Sequence, residues 1–215
     1  MIKNKLILVG CPLSPNYQAD TRTICAIEEW RSNGNVLTYY PSSGYAELGY
    51  DKIVNFANRL TPRPDYILFM DYDVIPRHNT LEKLIAADKD IISGVYPLAQ
   101  RCEIKWCLSK DEPFSAMEIG DLPDNMFKAS TICNGIMLVK TEVFDNLQWP
   151  YWRSQFVKGG VSMGHDIYFC KKAREAGYDL WVDPKIKCSH IKSVDLLGIA
   201  KSYTANRDKN HCKII

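Results

Sequence analysis

Tyr66-Ile67-Leu68-Phe69-Met70-Asp71-Tyr72-Asp73 decides how the chain is read. Five apolar residues in a row follow the breaker Thr61-Pro62-Arg63-Pro64 and run straight into an acid-x-acid element. A run this short, bounded by breakers, predicts a strand buried on both faces. Buried strands of this kind belong to sheets covered by helices on both sides, and such sheets bind ligands beyond the carboxyl ends of their strands. The two acids stand at that end.

Outward from this strand the pattern alternates. Leu6-Ile7-Leu8-Val9, closed by Gly10, predicts a first buried strand. Thr21–Arg31 carries Ile24, Ile27 and Trp30 at near-helical spacing and stops at Ser32-Asn33-Gly34. Val36–Tyr40 reads as a strand, and Ile53, Phe56, Ala57 and Leu60 form a helical stripe. A short helix with Leu81, Leu84 and Ile85 inward leads to a strand at Ile91-Ile92. Successive strand–helix units predict an α/β fold with a mostly parallel central sheet. From residue 99 to 127 the pattern is lost, and two readings stand: a meandering insertion or a mixed sheet edge. Gly135–Val139 reads as a strand, followed by a helix with Thr141 as its N-cap. Asp166–Ala176 reads as a helix ended by Gly177, and Tyr178–Val182 and Ile186–His190 as two further strands. Residues 1–190 are expected to form one domain, with 191–215 a tail carrying a weak helical signal.

Composition narrows the function classes. With 215 residues, 46% hydrophobic and 24% charged, the chain is long enough to bury a core without metal or disulfide staples. A net charge of +2 lacks the strong basic field of a dedicated nucleic-acid binder. No run approaches the ~18 apolar residues of a membrane span. The eight cysteines include no Cys-x-x-Cys, so no zinc-ligand spacing is present. They read as reduced thiols of a cytoplasmic protein, most of them small core residues.

Three features carry chemistry. If extended geometry persists, Asp71 and Asp73 face one side and Tyr72 the other. Two carboxylates at the mouth of a buried strand repel each other, a conflict that a divalent cation removes. The bland alternative is a turn started by Asp71 with Asp73 as a cap. Asp166 stands between a glycine-bearing loop and a helix, as an N-cap or as a general base. His190 ends a strand, where a neutral imidazole either packs or completes a metal site. Trp149, Tyr151 and Trp152 read equally as a hydrophobic plug or as an acceptor platform. Gly159, Gly160 and Gly164 suit either a closing lid or a simple turn.

The blocks DYILFMDYDVIPRHNTLEKLI, ICNGIMLVKTEVFDNL and GHDIYFCKKAREAGYDLWVDPKIKCSHI, in this order, resemble the GT-A fold nucleotide-sugar glycosyltransferases. The resemblance is to glycosyltransferase family 2 and its small bacterial and phage relatives, and it spans about Leu6 to Ile191. It implies a Rossmann-like, mostly parallel sheet with a small mixed-sheet acceptor region. It also implies a Mn²⁺ or Mg²⁺ ion held by Asp71, Asp73 and His190, and Asp166 as the base of an inverting transfer to an acceptor hydroxyl. Gly10, Cys11, Pro12, Leu13 and Tyr72 would border the nucleoside, and the Ser93–Tyr96 block with its Gly94, together with Asn134 and Gly135, the donor sugar. The donor is a nucleoside-diphosphate sugar, UDP by family habit; the acceptor class (glycan, lipid-linked sugar, protein side chain or modified nucleobase) stays open. Two departures mark this chain: His165-Asp166 where relatives often have Glu-Asp, and Tyr50-Asp51 where they often have Arg-Asn. Two rivals stand beside this reading. Asp71-Tyr72-Asp73-Val74 also fits the first motif of haloacid-dehalogenase-like phosphatases, with Asp71 as nucleophile. A catalytically degenerate transferase that only binds nucleotide-sugar is the other.

Overall fold

The computed structural model describes residues 4–13, 16, 18–32, 34–100, 103–158, 160–193 and 197. The expected tail helix, Gly159, Cys102 and Cys212 lie outside the described residues.

Seven strands form the central sheet: β1 (Ile7–Gly10), β2 (Val36–Tyr39), β3 (Tyr66–Met70), β4 (Ile91–Val95), β5 (Phe127–Ala129), β6 (Ile136–Lys140) and β7 (Leu180–Lys187). Their spatial order is β5-β7-β4-β6-β3-β1-β2. β1, β2, β3, β4 and β7 run one way, while β5 and β6 run against their neighbours. The sheet is therefore mixed but mostly parallel. The antiparallel course of β6 matters for function. Its first residues, not its last, reach the rim where β1, β3 and β4 end, so Asn134-Gly135 meets Asp71 there.

Period-two alternation divides the sheet into two buried faces. Leu8, Ile67, Phe69, Met137 and Val139 pack on one side, against Tyr50, Ile53 and Val54 of α2 (Ala46–Ala57) and Phe169 and Cys170 of α4 (His165–Glu175). Ile7, Val9, Leu68, Ile136 and Leu138 pack on the other. That face is covered by Ile27 and Trp30 of α1 (Thr21–Ser32) and Leu81 and Leu84 of α3 (Thr80–Ala86). Gly177 adopts φ +90° just past α4, the left-handed stop its position predicts.

Several expectations are corrected. Thr141 opens no α-helix. It lies buried inside a 3-10 turn, Thr141–Asp145, capped by Lys140. Arg63 pins that turn, bonding Thr141 O at 3.1 Å and forking onto both Asp145 carboxylate oxygens. Residues 180–187 form one strand rather than a break, because Pro184, which cannot donate to the ladder, sits where the β7–β4 register shifts. Ser189–His190 then pairs antiparallel with Val74–Ile75. The patternless middle is a small antiparallel sheet of Pro97–Gln100, Glu103–Trp106 and Met117–Glu118, with Leu108–Ser109 pairing to Thr131–Ile132. Not all thiols are free either: Cys107 and Cys133 form a disulfide across this region, their Cα atoms 6.0 Å apart. Sequence reading missed it because the partners lie 26 residues apart in different strand connections. Cys11, Cys170 and Cys188 are the buried, free thiols expected.

The aromatic cluster divides. Trp152 is buried and stacks on Phe169 at 4.7 Å, and Tyr151 is buried beside Phe144, so these two form the plug. Trp149 is exposed. The glycine-bearing loop is a hairpin, Gln155–Val157 with Gly160–Met163. Among the described residues, no helix is long and apolar enough to cross a membrane.

Candidate active site

β3 ends at Met70, and the chain turns at once: Val74 N–H donates to Asp71 O at 3.2 Å. This turn breaks the period-two geometry, so Asp71 and Asp73 do not share a partner. Asp71 accepts a short hydrogen bond from the Tyr50 hydroxyl of α2. Asp73 faces the other way, with its Oδ2 2.5 Å from Lys192 Nζ and its Oδ1 3.5 Å from His190 Nε2. Among the described residues, no three His, Cys, Asp or Glu side chains gather as a metal-binding group. The expected trio of Asp71, Asp73 and His190 is thus corrected to a pair, Asp73 with His190, and a separate Asp71.

The pair has the chemistry of a cation site. His190 Nδ1 lies 2.8 Å from Pro97 O. A carbonyl oxygen only accepts, so Nδ1 carries a hydrogen, and Nε2 points at Asp73, where a proton or a metal ion would bridge the two. The edge of the Tyr96 ring fixes the imidazole plane, with centroids 4.9 Å apart. One carboxylate and one imidazole nitrogen suit Mn²⁺ or Mg²⁺ ions that take their remaining ligands from phosphate and water. The Lys192 ammonium already shows that Asp73 accepts a cation there. Burial disfavours the ionised form of Asp73, but the bonds from His190 and Lys192 outweigh it and hold the carboxyl below its usual range.

Asp71 is electrostatically the opposite. Desolvation pushes its carboxyl up to about 6; the Tyr50 bond opposes this, and the charges of Asp166 and Asp73 add to it. The negative charges of Asp71, Asp73 and Asp166 are thus concentrated here, a pattern common at functional sites.

Asp166 stands across from Asp71 in the first turn of α4. Asn134 Nδ2 donates to its Oδ1 at 2.6 Å and His165 Nε2 to the same oxygen at 2.9 Å. Burial alone would lower the His165 pKa, but the bond to Asp166 and the charges of Asp166, Glu47 and Asp71 raise it. His165 therefore does not merely halve an acidic pair. It orients the acid that remains.

Gly135 is required by close approach. A Cβ there would lie 2.6 Å from the Tyr96 hydroxyl and 2.7 Å from Asp71 Oδ2. Tyr96 OH in turn accepts the Gly135 N–H at 3.3 Å.

The remaining expected positions separate into two groups. Pro12, Leu13 and Tyr72 line a cleft of about 180 Å³ with Tyr45, Tyr50 and Asp71. Cys11 is buried, and desolvation followed by the charges of Asp71 and Asp73 pushes its thiol far up. Gly10 and Gly94 face the core: Ile53 occupies the place of a Gly10 Cβ, and Ile186 that of a Gly94 Cβ. Sequence reasoning did not anticipate the roles of Tyr50 and Lys192, and it placed Tyr96 only in the Ser93–Tyr96 block bordering the donor sugar. Tyr50 was visible only as a departure.

No family model and no curated protein sequence matches the chain. Similarity appears in three dimensions. A197 from STIV superposes with a TM-score of 0.66 at 14% identity, over 87% of this chain and 86% of that one. GalNAc-T7, crystallised with UDP, GalNAc and Mn²⁺, superposes at 0.56 and 10% identity, over 89% of this chain and 44% of its own. The catalytic domain of Drosophila β1,4-galactosyltransferase 7, in complex with xylobiose, does so at 0.53 and 13%, over 88% and 71%. The fold is GT-A-like. At these identities the likeness establishes the architecture, and the GT-A frame sets Asp71, Asp73, Asn134, Asp166 and His190 around one rim. The two acids end the third strand of this sheet, beside the antiparallel β6, and not the first strand that the phosphatase motif normally ends.

Proposed function

We propose that the protein is a metal-dependent glycosyltransferase that moves a sugar from a nucleoside-diphosphate sugar, a UDP-sugar by preference, to an acceptor hydroxyl with inversion. The catalytic unit is residues 1–190. The observation that carries the reading is the rim itself, where Asp73 lies 3.5 Å from His190 and Asp166 is held by Asn134 and His165, an arrangement that supports a cation at the first pair and a base at the second.

In this scheme Pro12, Leu13 and Tyr72 border the nucleoside. Asp73 and His190 hold Mn²⁺ or Mg²⁺, which when bound neutralises the charge growing on the diphosphate. Asp71 and the Asn134-Gly135 turn border the donor sugar. The bond from the anomeric carbon to the diphosphate oxygen breaks as the acceptor oxygen bonds to the opposite face of that carbon. The acceptor proton passes to Asp166. Because two donors occupy Oδ1, Oδ2 is the oxygen that takes it. The fold family of GalNAc-T7, crystallised with UDP and Mn²⁺, supports the donor and ion classes.

The test is UDP release from a panel of UDP-sugars with Mn²⁺. Asp166→Asn is expected to lower kcat on the order of 10²–10⁴-fold while leaving donor binding intact, as removal of a general base does. Donor binding without UDP release from any sugar would instead identify a degenerate, nucleotide-sugar-binding protein.

A further inference from the structure

Asp166 lines a second cavity, of about 200 Å³, which shares no residue with the nucleoside cleft. Its walls are Leu98, Phe114, Ile167 and the Cys107–Cys133 disulfide, with Asp166 and His165 at one end. Thr131 and Gly164 complete it, and among the described residues no lysine or arginine lines it.

Size and chemistry restrict what fits. An apolar cavity of roughly 150 Å³ accommodates a benzene ring, so this one takes about one substituted ring. A saccharide ring carries several hydroxyls, and each one buried against carbon or sulfur without a partner is costly. A phosphorylated or pyrophosphorylated group would meet His165, already bonded to Asp166, as its one basic neighbour among the described residues, with Asp166 opposing its charge. An apolar group bearing one hydroxyl has neither problem, since its ring faces Leu98, Phe114, Ile167 and the disulfide while the hydroxyl reaches the carboxylate.

Resting on the transferase reading, we infer that this cavity is the acceptor subsite and that it selects a neutral alcohol carried on a compact apolar group of about one aryl ring. The acceptor hydroxyl donates to Asp166, and its proton stays there as the new glycosidic bond forms.

The probes are benzyl alcohol, methyl glucoside and glycerol 3-phosphate, titrated into the full chain and followed by amide chemical shifts. Benzyl alcohol should shift Leu98, Phe114, Thr131 and Ile167 saturably, and the other two should not. Phe114→Asp, at a partly exposed position, should weaken benzyl alcohol at least about fivefold while the remaining spectrum shows an intact fold. Benzyl alcohol should also accelerate UDP release and appear as a benzyl glycoside. Shifts at these residues from methyl glucoside or glycerol 3-phosphate, but not from benzyl alcohol, would overturn the inference. So would UDP release that proceeds but is accelerated only by the sugar or the phosphate; the transferase reading would then survive. Saturable benzyl alcohol binding with no UDP release from any donor would overturn the transferase reading, and the acceptor role with it.

Discussion

Replacing Asp51 with asparagine should stabilise the protein at neutral pH and flatten its response to pH. Asp51 lies in α2 with only 5% of its surface exposed, on the side facing the aromatic plug. Its Oδ1 accepts the Tyr151 N–H at 3.3 Å. Burial pushes the carboxyl up to about 6 from an ordinary 3.8, even though the Tyr151 amide, Trp149, the Trp152 amide and Lys172 pull it back. The folded state therefore binds this proton more tightly than the unfolded chain does. Between about pH 4 and 6 the folded state carries more protons, so stability falls as pH rises through that window and stays lost above it. At about 1.4 kcal/mol per pH unit the difference is on the order of 3 kcal/mol. Asparagine keeps the acceptor and removes the charge, although its amide hydrogens need partners, so the net gain at pH 7.5 is about 1–2 kcal/mol. Urea unfolding of both proteins from pH 4 to 8 measures it. The variant's advantage should grow from pH 4 to 6 and then level off. A constant difference, or a variant that loses ground as pH rises, would refute a buried, ionising Asp51.

Gly135→Ala should cost about 1–3 kcal/mol, because the new methyl meets the buried Tyr96 and the half-buried Asp71 at under 3 Å, whereas Gly120→Ala, with open space around it, should unfold within about 0.5 kcal/mol of the parent. Trp152→Ala should cost about 3–5 kcal/mol in urea unfolding, since the ring is buried and stacked on Phe169. Reducing the Cys107–Cys133 disulfide, which closes a loop of 26 residues, should cost about 2–4 kcal/mol. It should also weaken benzyl alcohol binding more than nucleotide binding, which titration of each ligand with and without a dithiol reductant would show.

Much of the frame was legible because burial on both faces writes itself as uninterrupted apolar runs. β1, β3 and the stripes of α1 and α2 follow directly from that. The direction of β6 does not, since a buried run reads the same whichever way it points; the intervening small sheet returns the chain to the rim. Acid-x-acid was legible as chemistry, and a turn started by Asp71 stood beside it as the alternative; the Val74 N–H bond to Asp71 O decides for that turn, a local event that no periodicity records. Asp51 was noted only as part of a departure and its burial was not foreseen, because a carboxylate beside a helical stripe is expected to face water. It is buried here by Trp149–Trp152, a hundred residues downstream. The cystine and the Lys192–Asp73 contact are likewise long-range pairings between residues that look ordinary alone.

The most direct measurement is calorimetric titration of UDP into the wild-type chain and into Asp73→Asn and His190→Ala, each with Mn²⁺ and with EDTA. Wild-type binding should tighten at least tenfold with Mn²⁺, and either substitution should abolish that gain while leaving the metal-free affinity unchanged. Binding that is indifferent to Mn²⁺, or a Mn²⁺ effect that survives both substitutions, would contradict a metal-held donor at this rim.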